Sequence, residues 1–301
     1  MSSTHQTRTV PQIFDRQLLR LRQRRAALRF ADHDFLHKII AEDIVDRLET
    51  VTRDFPSACF LGTGTQRLSN GLTAQCAVGT VDMYDSLAQP TDTPATPVWF
   101  SGTEELPARP GSCALIVSMM ELHSMNDMPG YLAQVRRALK PDGLFIGALP
   151  AENTLQELRD CLYAAETEIT GGVSPRVYPF ASLRELGGLM QRAGFALPVA
   201  DTLRLPVTYR APISLLKDLR YMGETNILRN RKPGTLGRQV LSRALDLYRE
   251  KFSAGKDGSV TATFEIAVLT GWAPHESQQK PLKPGSAKAS LEQAVKTGFK
   301  D

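Results

Sequence analysis

The stretch that decides the predicted fold is residues 58–82, which read ACFLGTGTQRLSNGLTAQCAVGTVD. An apolar run ends in the turn Gly62-Thr63-Gly64, and a second run ends at the carboxylate of Asp82. A buried strand, a glycine turn into a helix and a second strand tipped with an acid form the plan of a nucleotide-binding βαβ unit. The glycines let the backbone approach a ligand, and the acid can accept hydrogen bonds from ribose hydroxyls. An ordinary strand-to-helix turn is an equal alternative, because Gln66 stands where the dinucleotide fingerprint has its third glycine.

Outside this stretch, strand patterns alternate with helical patterns as far as residue 200, which predicts a parallel, doubly wound sheet. Five further strands are predicted, at residues 98–100, 114–118, 144–149, 195–200 and 261–269. The predicted fold class is therefore α/β: a Rossmann-like, mostly parallel seven-stranded sheet with helices on both faces. Extra helices precede the sheet, and a helical insertion precedes its last strand.

The chain divides into four predicted parts: a disordered N-terminus over 1–10, basic helices over 11–52, an α/β domain over 53–272 with its helical insertion at about 210–255, and an extended Lys/Pro-rich tail over 273–301. A hydrophobic content of 42% in 301 residues suffices for a substantial core. No apolar run approaches the roughly 20 residues that span a bilayer, and arginines interrupt the segment where a secretory signal would lie. We therefore predict a cytoplasmic protein without a transmembrane segment.

Positive charge is concentrated near the N-terminus. The net charge is +4, but residues 8–29 carry seven arginines against the single acid Asp15, a local charge of +6. Such a patch favours an acidic partner protein or a membrane surface, and a solvated helix face is the plainer alternative. No aromatic RNA-binding signature accompanies the patch, so we expect no nucleic-acid partner. Peripheral contact with the inner membrane is compatible with this charge pattern. The sequence predicts no particular oligomeric state.

The four cysteines and five histidines show no metal-ligand spacing, so no metal site is predicted. The cysteines lie far apart and are expected to pack as small apolar residues in the core. His33 and His37 are one helical turn apart and are expected on the surface.

Several motifs together resemble class I S-adenosyl-L-methionine (SAM)-dependent methyltransferases. They are VRRALKPDGLF at 135–145, Glu104-x-Leu106-Pro107, Leu122-His123, and an acid 18 residues after Gly64. The resemblance implies a methyltransferase-like domain with SAM as cofactor. The implied cofactor-binding residues are Gly62, Thr63, Gly64, Asp82, Met83, Thr103, Glu104, Leu106 and Ser118, and the implied catalytic candidates are Glu121, His123 and Arg176. Alternatively, Glu121 and His123 form a structural polar pair at a strand end, and Arg176 stabilises its loop.

Two further motifs narrow the resemblance. The stretches Gly171-Gly172-x-Ser174-Pro175-Arg176 and Asp218-Leu219-Arg220-x-Met222-Gly223-Glu224 are similar to the mitochondrial complex I assembly factor 5 family and its bacterial relatives. That family in turn resembles the malonyl-acyl-carrier-protein methyltransferase of biotin synthesis. The resemblance implies a respiratory complex I subunit as partner, and it raises protein-arginine hydroxylation as an alternative activity.

Four positions depart from the methyltransferase pattern. Phe60 stands where the first strand normally ends in an acid, Gln66 replaces a glycine, and Gly102 and Ala114 replace acids on the adenine side and at the fourth strand. Each lost charge-assisted hydrogen bond would weaken SAM binding by roughly 1.5–3 kcal/mol. Three hypotheses follow: a SAM-dependent methyltransferase, which the family favours; a protein-arginine hydroxylase; and a non-catalytic assembly or binding protein, which the missing acids favour.

Overall fold

The computed structural model describes residues 10–68, 72, 78–86, 104–234, 236–255 and 258–279. The helices are α1 Arg16–Ala27, α2 Phe35–Glu49, α3 Met128–Ala138, α4 Gln156–Thr170, α5 Leu183–Arg192, α6 Pro212–Tyr221 and α7 Arg238–Phe252. The strands are β1 Phe55–Gly62, β2 Val78–Asp85, β3 Cys113–Met119, β4 Leu139–Pro150, β5 Ala196–Tyr209 and β6 Val260–Trp272. The strand predicted at 98–100, positions Gly102 and Thr103, and residues 280–301 of the predicted tail lie outside the described residues.

The described strands form one sheet in the order β2-β1-β3-β4-β6-β5. The first four in this order run parallel, and β6 is antiparallel to both of its neighbours. The carboxyl ends of β1, β2 and β3 meet at one edge, where Gly62 pairs with Asp85 on one side and with Met119 on the other. The predicted Rossmann-like, mostly parallel sheet is confirmed, with six strands in the described residues where seven were predicted.

Side chains of the central strands alternate between two cores. Ala58 and Phe60 of β1 pack into the core that also contains α2, α4 and α7, whereas Cys59 and Leu61 pack into the core that contains α3 and α5. A parallel strand that is buried on both faces reads as a continuous apolar run, which is why the sequence revealed it. The prediction of helices on both faces is confirmed.

Three predicted elements have different bounds. β2 extends past residue 82 to Asp85, and β5 continues past residue 200 to Tyr209. β5 contains Pro198 and Pro206, which are tolerated because it is an edge strand, where a proline need not donate to a second neighbour. The turn predicted at 140–143 is a bulge inside β4, where Asp142 adopts φ +63°.

The basic segment, predicted to be helical from residue 11, starts its first helix only at Arg16. Before it, Phe14 forms an antiparallel bridge with Leu228, which ties the N-terminal segment to the insertion between β5 and β6. Asp15 then caps α1, accepting a hydrogen bond from the backbone N–H of Leu18 at 3.0 Å. Among the helices of the described residues, none has the length and apolarity needed to cross a membrane.

Candidate functional site

The glycine turn closes the end of β1 through backbone packing. φ is +114° at Gly62 and +74° at Gly64, a region that favours glycine. A Cβ at Gly62 would lie 2.0 Å from the carbonyl oxygen of Met119, so β3 fills the space beside this residue. A Cβ at Gly64 would lie 3.2 Å from Cζ of Phe30 and 3.4 Å from Cβ of His37, so the segment around the start of α2 covers the turn. Packing against β3 therefore requires glycine at position 62.

Thr63 fixes the turn between its two neighbouring strands. Its backbone N–H donates to the carbonyl oxygen of Met119 at 2.9 Å, and its hydroxyl lies 2.8 Å from the hydroxyl of Ser86. The backbone N–H of Ser86 donates to the carbonyl oxygen of Gly62 at 2.8 Å. These bonds hold the ends of β1, β2 and β3 in one rigid unit.

The carboxylate at the end of β2 belongs to Asp85 and not to Asp82. Asp82 pairs with Cys59 in the middle of the strand and is exposed. Asp85 pairs with Gly62, is 4% exposed, and accepts a hydrogen bond from the hydroxyl of Thr65 at 3.1 Å. The sequence offered both acids within one run, and only the length of the strand distinguishes them.

Two of the predicted cofactor-binding residues form hydrogen bonds with α3 and with the residues just before it. Glu104 accepts hydrogen bonds from the backbone N–H groups of Asn126 and Asp127, each at 2.7 Å. The backbone N–H of Leu106 donates to the side-chain oxygen of Gln134 at 3.0 Å. The structure therefore gives Glu104 and Leu106 packing and hydrogen-bonding roles of their own.

Two other cofactor candidates lie within the sheet. Met83 is half-buried in β2, where it pairs with Phe60. Ser118 is fully buried in β3, and its hydroxyl has no hydrogen-bond partner among the residues that the structure describes. Because buried polar atoms are nearly always hydrogen-bonded, the Ser118 hydroxyl is available to a ligand at the end of β3.

His37 is fully buried beside the glycine turn, so its predicted surface position is wrong. Neither ring nitrogen has a hydrogen-bond partner within the described part of the chain, and the ring packs edge-on against Phe30 with 4.8 Å between centroids. Burial lowers the pKa of His37 to about 4, so the imidazole is neutral near pH 7. The sequence did contain a signal for this burial: His37 is next to Leu36 and one helical turn before Ile40, and both of these residues are buried.

Glu121 follows a residue with unusual backbone geometry at the end of β3. Met120 has φ +53°, a conformation that non-glycine residues adopt mainly at constrained and functional sites. One carboxylate oxygen of Glu121 is buried without a partner, and burial raises the pKa of the group to about 7. The Glu121 side chain adjoins the turn, since its Cβ would lie 3.2 Å from a Cβ at Gly62. A buried carboxyl group with a raised pKa therefore belongs to a residue that adjoins the glycine turn.

His123 and Glu224 form a buried pair that the sequence did not predict. Nε2 of His123 lies 2.9 Å from a carboxylate oxygen of Glu224, which follows α6 in the chain. A carboxylate at this distance accepts a hydrogen bond from Nε2–H, so we assign the tautomer of the neutral ring with its proton on Nε2. Nδ1 is buried, and no described residue forms a hydrogen bond with it. An imidazole oriented by a carboxylate, with its other nitrogen free, is the arrangement of a general base.

Arg176 is paired with Glu166 at 2.7 Å and stabilises the loop after α4. Ser174 also donates to Glu166, from its backbone N–H and from its hydroxyl, each at 2.9 Å. Burial by itself would raise the pKa of Glu166, but the hydrogen bonds from Arg176 and Ser174 outweigh it and lower the pKa to about 2. Nε of Arg176 is left buried without a partner.

Beyond the ends of β3 and β4 lies a cavity of about 500 Å³, which we call the α4–α6 cavity. Its walls include Leu155, Leu158 and Leu162 on one side and Leu216 and Leu219 on the other. It also reaches Met120, Arg176 and Glu224, so its lining includes the carboxylate that orients His123. Its size and apolar lining are those of small-molecule sites.

Within the described ranges, no group of three or more His, Cys, Asp or Glu residues is arranged to hold a metal ion. Cys59, Cys113 and Cys161 are buried free thiols, as expected for core residues.

Comparison with known proteins gives a consistent result. Residues 23–198 match a family model described as a methyltransferase domain. The mitochondrial arginine-hydroxylase NDUFAF5 of Danio rerio is 36% identical over 294 residues, covering 95% of this chain and 90% of that protein. A malonyl-[acyl-carrier protein] O-methyltransferase of Halorhodospira halophila is 28% identical over 290 residues, covering 93% and 95%. A solved candidate methyltransferase of Bacillus halodurans shares the fold, with a TM-score of 0.51 and 10% identity over 77% of this chain and 98% of that one.

Proposed function

The chain belongs to the methyltransferase-domain family, and on that premise we propose that it binds SAM at the carboxyl ends of β1–β3 and methylates an acceptor held beside His123. One observation carries the proposal: the glycine turn, the buried Asp85, and the unpartnered polar atoms of Ser118 and Glu121 meet at one edge of the sheet. A fold does not by itself imply a function. The support for SAM binding is therefore this set of residues at the carboxyl ends of the strands, and not the topology of the sheet.

The residues at this edge fit the polar parts of SAM, although they differ from the family pattern. Asp85 lies at the end of β2, where a carboxylate can accept hydrogen bonds from the ribose hydroxyls. Phe60 removes the usual acid of β1, but Glu121 brings a buried carboxyl group next to Gly62 from the end of β3. Glu121 therefore replaces the missing partner of the positively charged methionine part.

SAM, when bound, supplies an electrophilic methyl group. His123 removes the proton of the acceptor at Nδ1, while Glu224 holds the opposite ring nitrogen in place. Tyr178 and Phe180 pack near the imidazole, with ring centroids 5.9 and 6.2 Å away, and limit the access of water. Methyl transfer is an in-line displacement, so positioning supplies much of the rate.

Titration calorimetry with SAM and with S-adenosylhomocysteine tests the cofactor directly. Micromolar binding would support the proposal, and no binding at millimolar ligand would overturn it. In the latter case the alternative hypothesis of a non-catalytic assembly protein would take its place.

The Asp85→Asn substitution is expected to weaken SAM binding by about 10-fold or more, because it removes a charge-assisted hydrogen bond worth about 1.5–3 kcal/mol. Asp82→Asn is the matched control: it lies on the same strand but is exposed, and it should change the affinity by less than 2-fold. Both dissociation constants are measured by calorimetry, with thermal melts to confirm folding. The opposite ranking of the two variants would place the ribose at Asp82.

The raised pKa of Glu121 leads us to expect that SAM affinity depends on pH. A carboxylate attracts the cationic cofactor and a neutral carboxyl does not, so affinity should rise as the pH increases through about 7, the pKa of this group. Glu121→Gln should weaken binding about 10-fold at pH 8 and remove this rise. Calorimetry at pH 6, 7 and 8 on both proteins measures it. A rise that persists in Glu121→Gln would assign the dependence to another group.

A second candidate function is assembly of respiratory complex I, including hydroxylation of an arginine in one of its subunits. The match to the arginine-hydroxylase relatives over 95% of the chain favours it. We propose a cytoplasmic location, with the basic segment in contact either with an acidic partner protein or with the surface of the inner membrane. Arg16 donates to Ser124, so only part of that charge, such as the exposed Arg24 and Arg25, faces a partner. Intact-mass analysis of complex I subunits, with and without this protein, tests the activity; no difference of about 16 Da, the mass of one oxygen atom, would contradict it.

A further inference from the structure

We infer that the α4–α6 cavity binds a single-chain anionic amphiphile, that is, an apolar chain carrying a carboxylate or phosphate head. The inference concerns the lining of the cavity itself, so it holds whether or not the chain transfers methyl groups.

The apolar walls of the cavity favour a ligand with a hydrocarbon chain. Leu155, just before α4, and Leu158 and Leu162 of α4 are each less than 8% exposed. Leu219 of α6 and Phe264 of β6 complete the wall. These side chains offer no hydrogen bonds, so a polar ligand would lose its hydration without compensation. An aliphatic chain would bury apolar surface at no such cost.

Charged groups on the same lining select an anionic head. Among the described residues, five cations line the cavity: Arg22, Arg176, Arg220, Arg231 and Lys232. The one acid among the described lining residues is Glu224, which is engaged by His123. A cationic ligand, including the side chain of an arginine substrate, would meet repulsion here, whereas a carboxylate or phosphate would be attracted.

Arg176 is paired with Glu166 and Arg231 with Asp15, whereas Arg22, Arg220 and Lys232 form no salt bridge with any described residue, so these three leave positive charge for a ligand. Arg22 donates to the backbone carbonyl of Asn226, which holds the guanidinium in place without neutralising it. Burial lowers the pKa of Arg22, and repulsion from Arg231 lowers it further. Nε of Arg176 is buried without a partner. Guanidinium groups in fixed positions match the geometry of carboxylate and phosphate oxygens.

The experiment compares ligands that share one chain and differ in charge. Calorimetry with dodecanoate, dodecyl phosphate and dodecylammonium, each below its micelle concentration, is expected to show both anions binding at least 10-fold more tightly than the cation. Butanoate, which keeps the charge and loses the chain, should bind at least 10-fold more weakly than dodecanoate. Equal binding of dodecylammonium, equal binding of butanoate, or no binding of dodecanoate would each overturn the proposal.

Substitutions in the lining test whether dodecanoate binds in the α4–α6 cavity. Leu216→Trp should fill the cavity and abolish dodecanoate binding, and Arg220→Gln combined with Lys232→Gln should weaken it at least 5-fold. Lys217→Gln is the matched control, since it removes an exposed cation of α6 that is not part of the lining. Thermal melts confirm that each variant is folded. If Lys217→Gln lost as much dodecanoate affinity, the effect would come from the net charge of the protein and not from the cavity, which would overturn the proposal.

Phosphatidylglycerol vesicles test whether the hydrocarbon chain in the cavity belongs to a bilayer lipid or to a free amphiphile. Co-sedimentation that Leu216→Trp abolishes would identify a bilayer lipid, and binding of dodecanoate without co-sedimentation would identify a free amphiphile. Co-sedimentation that survives Leu216→Trp, together with no dodecanoate binding, would mean contact with the membrane surface alone and would overturn the cavity site.

Discussion

Gly62→Ala is expected to unfold the protein or to lower its free energy of unfolding by at least about 4 kcal/mol. The added Cβ would lie 2.0 Å from the carbonyl oxygen of Met119 and 2.9 Å from its carbonyl carbon. Both atoms are backbone of the neighbouring strand β3, so no flexible side chain can move aside. The φ of +114° adds strain, because alanine rarely adopts it. The clash lies between the paired ends of β1 and β3, which the hydrogen bond from the backbone N–H of Thr63 to the carbonyl oxygen of Met119 holds together.

Urea denaturation followed by circular dichroism measures this effect. Gly172→Ala is the matched control, because nothing lies within 4 Å of a Cβ at that position and its φ is outside the left-handed region. It should change the free energy of unfolding by no more than about 0.5 kcal/mol. Wild-type stability in Gly62→Ala would contradict the packing of β1 on β3. The expected loss also means that Gly62 variants report on folding, so Asp85 is the better probe of SAM binding.

The sheet was predictable from sequence because its central strands are buried on both faces. β1, β3 and β4 read as uninterrupted apolar runs, and helical patterns between them fixed the parallel topology. The edge strand β5 was less predictable, because one of its faces is largely exposed and its two prolines suggest an early end.

The candidate site was predictable only where its residues lie at strand ends. Gly62, Ser118 and Glu121 could be located from local pattern, since each lies in or just after a buried strand. The partner of His123 could not, because Glu224 lies 101 residues further along the chain and reaches it only through the insertion after β5. His37 reaches the glycine turn from a helix that precedes the whole sheet. Long-range contacts of this kind depend on packing, which a local pattern does not encode.

Arg176→Met is expected to lower the free energy of unfolding by about 3–5 kcal/mol at pH 7, because it leaves the carboxylate of Glu166 buried without its charged partner. The Glu166 side chain is 4% exposed and that of Arg176 is 14% exposed, so water cannot replace the lost bond readily. Arg243→Met is the matched control: its partner Glu168 has a side chain that is 54% exposed. Breaking that exposed pair should change stability by no more than about 1 kcal/mol.

The pH dependence of stability separates this structural role from a role in substrate binding. The pKa of Glu166 falls from 4.5 to about 2 on folding, so its contribution is complete above pH 4.5 and is lost as the pH falls towards 2. That contribution is about 3 kcal/mol, at 1.36 kcal/mol per pKa unit. Urea denaturation at pH 7, 5 and 3 should show this acid loss in the wild type and a smaller one in Arg176→Met, where only the bonds from Ser174 still lower the pKa of Glu166. Glu166→Gln added to Arg176→Met should recover most of the stability at pH 7, since no unpaired charge then remains buried. If Arg176→Met instead matched the Arg243→Met control in stability and lost only ligand binding, Arg176 would be a substrate contact, and its pairing with Glu166 would be incidental to the fold.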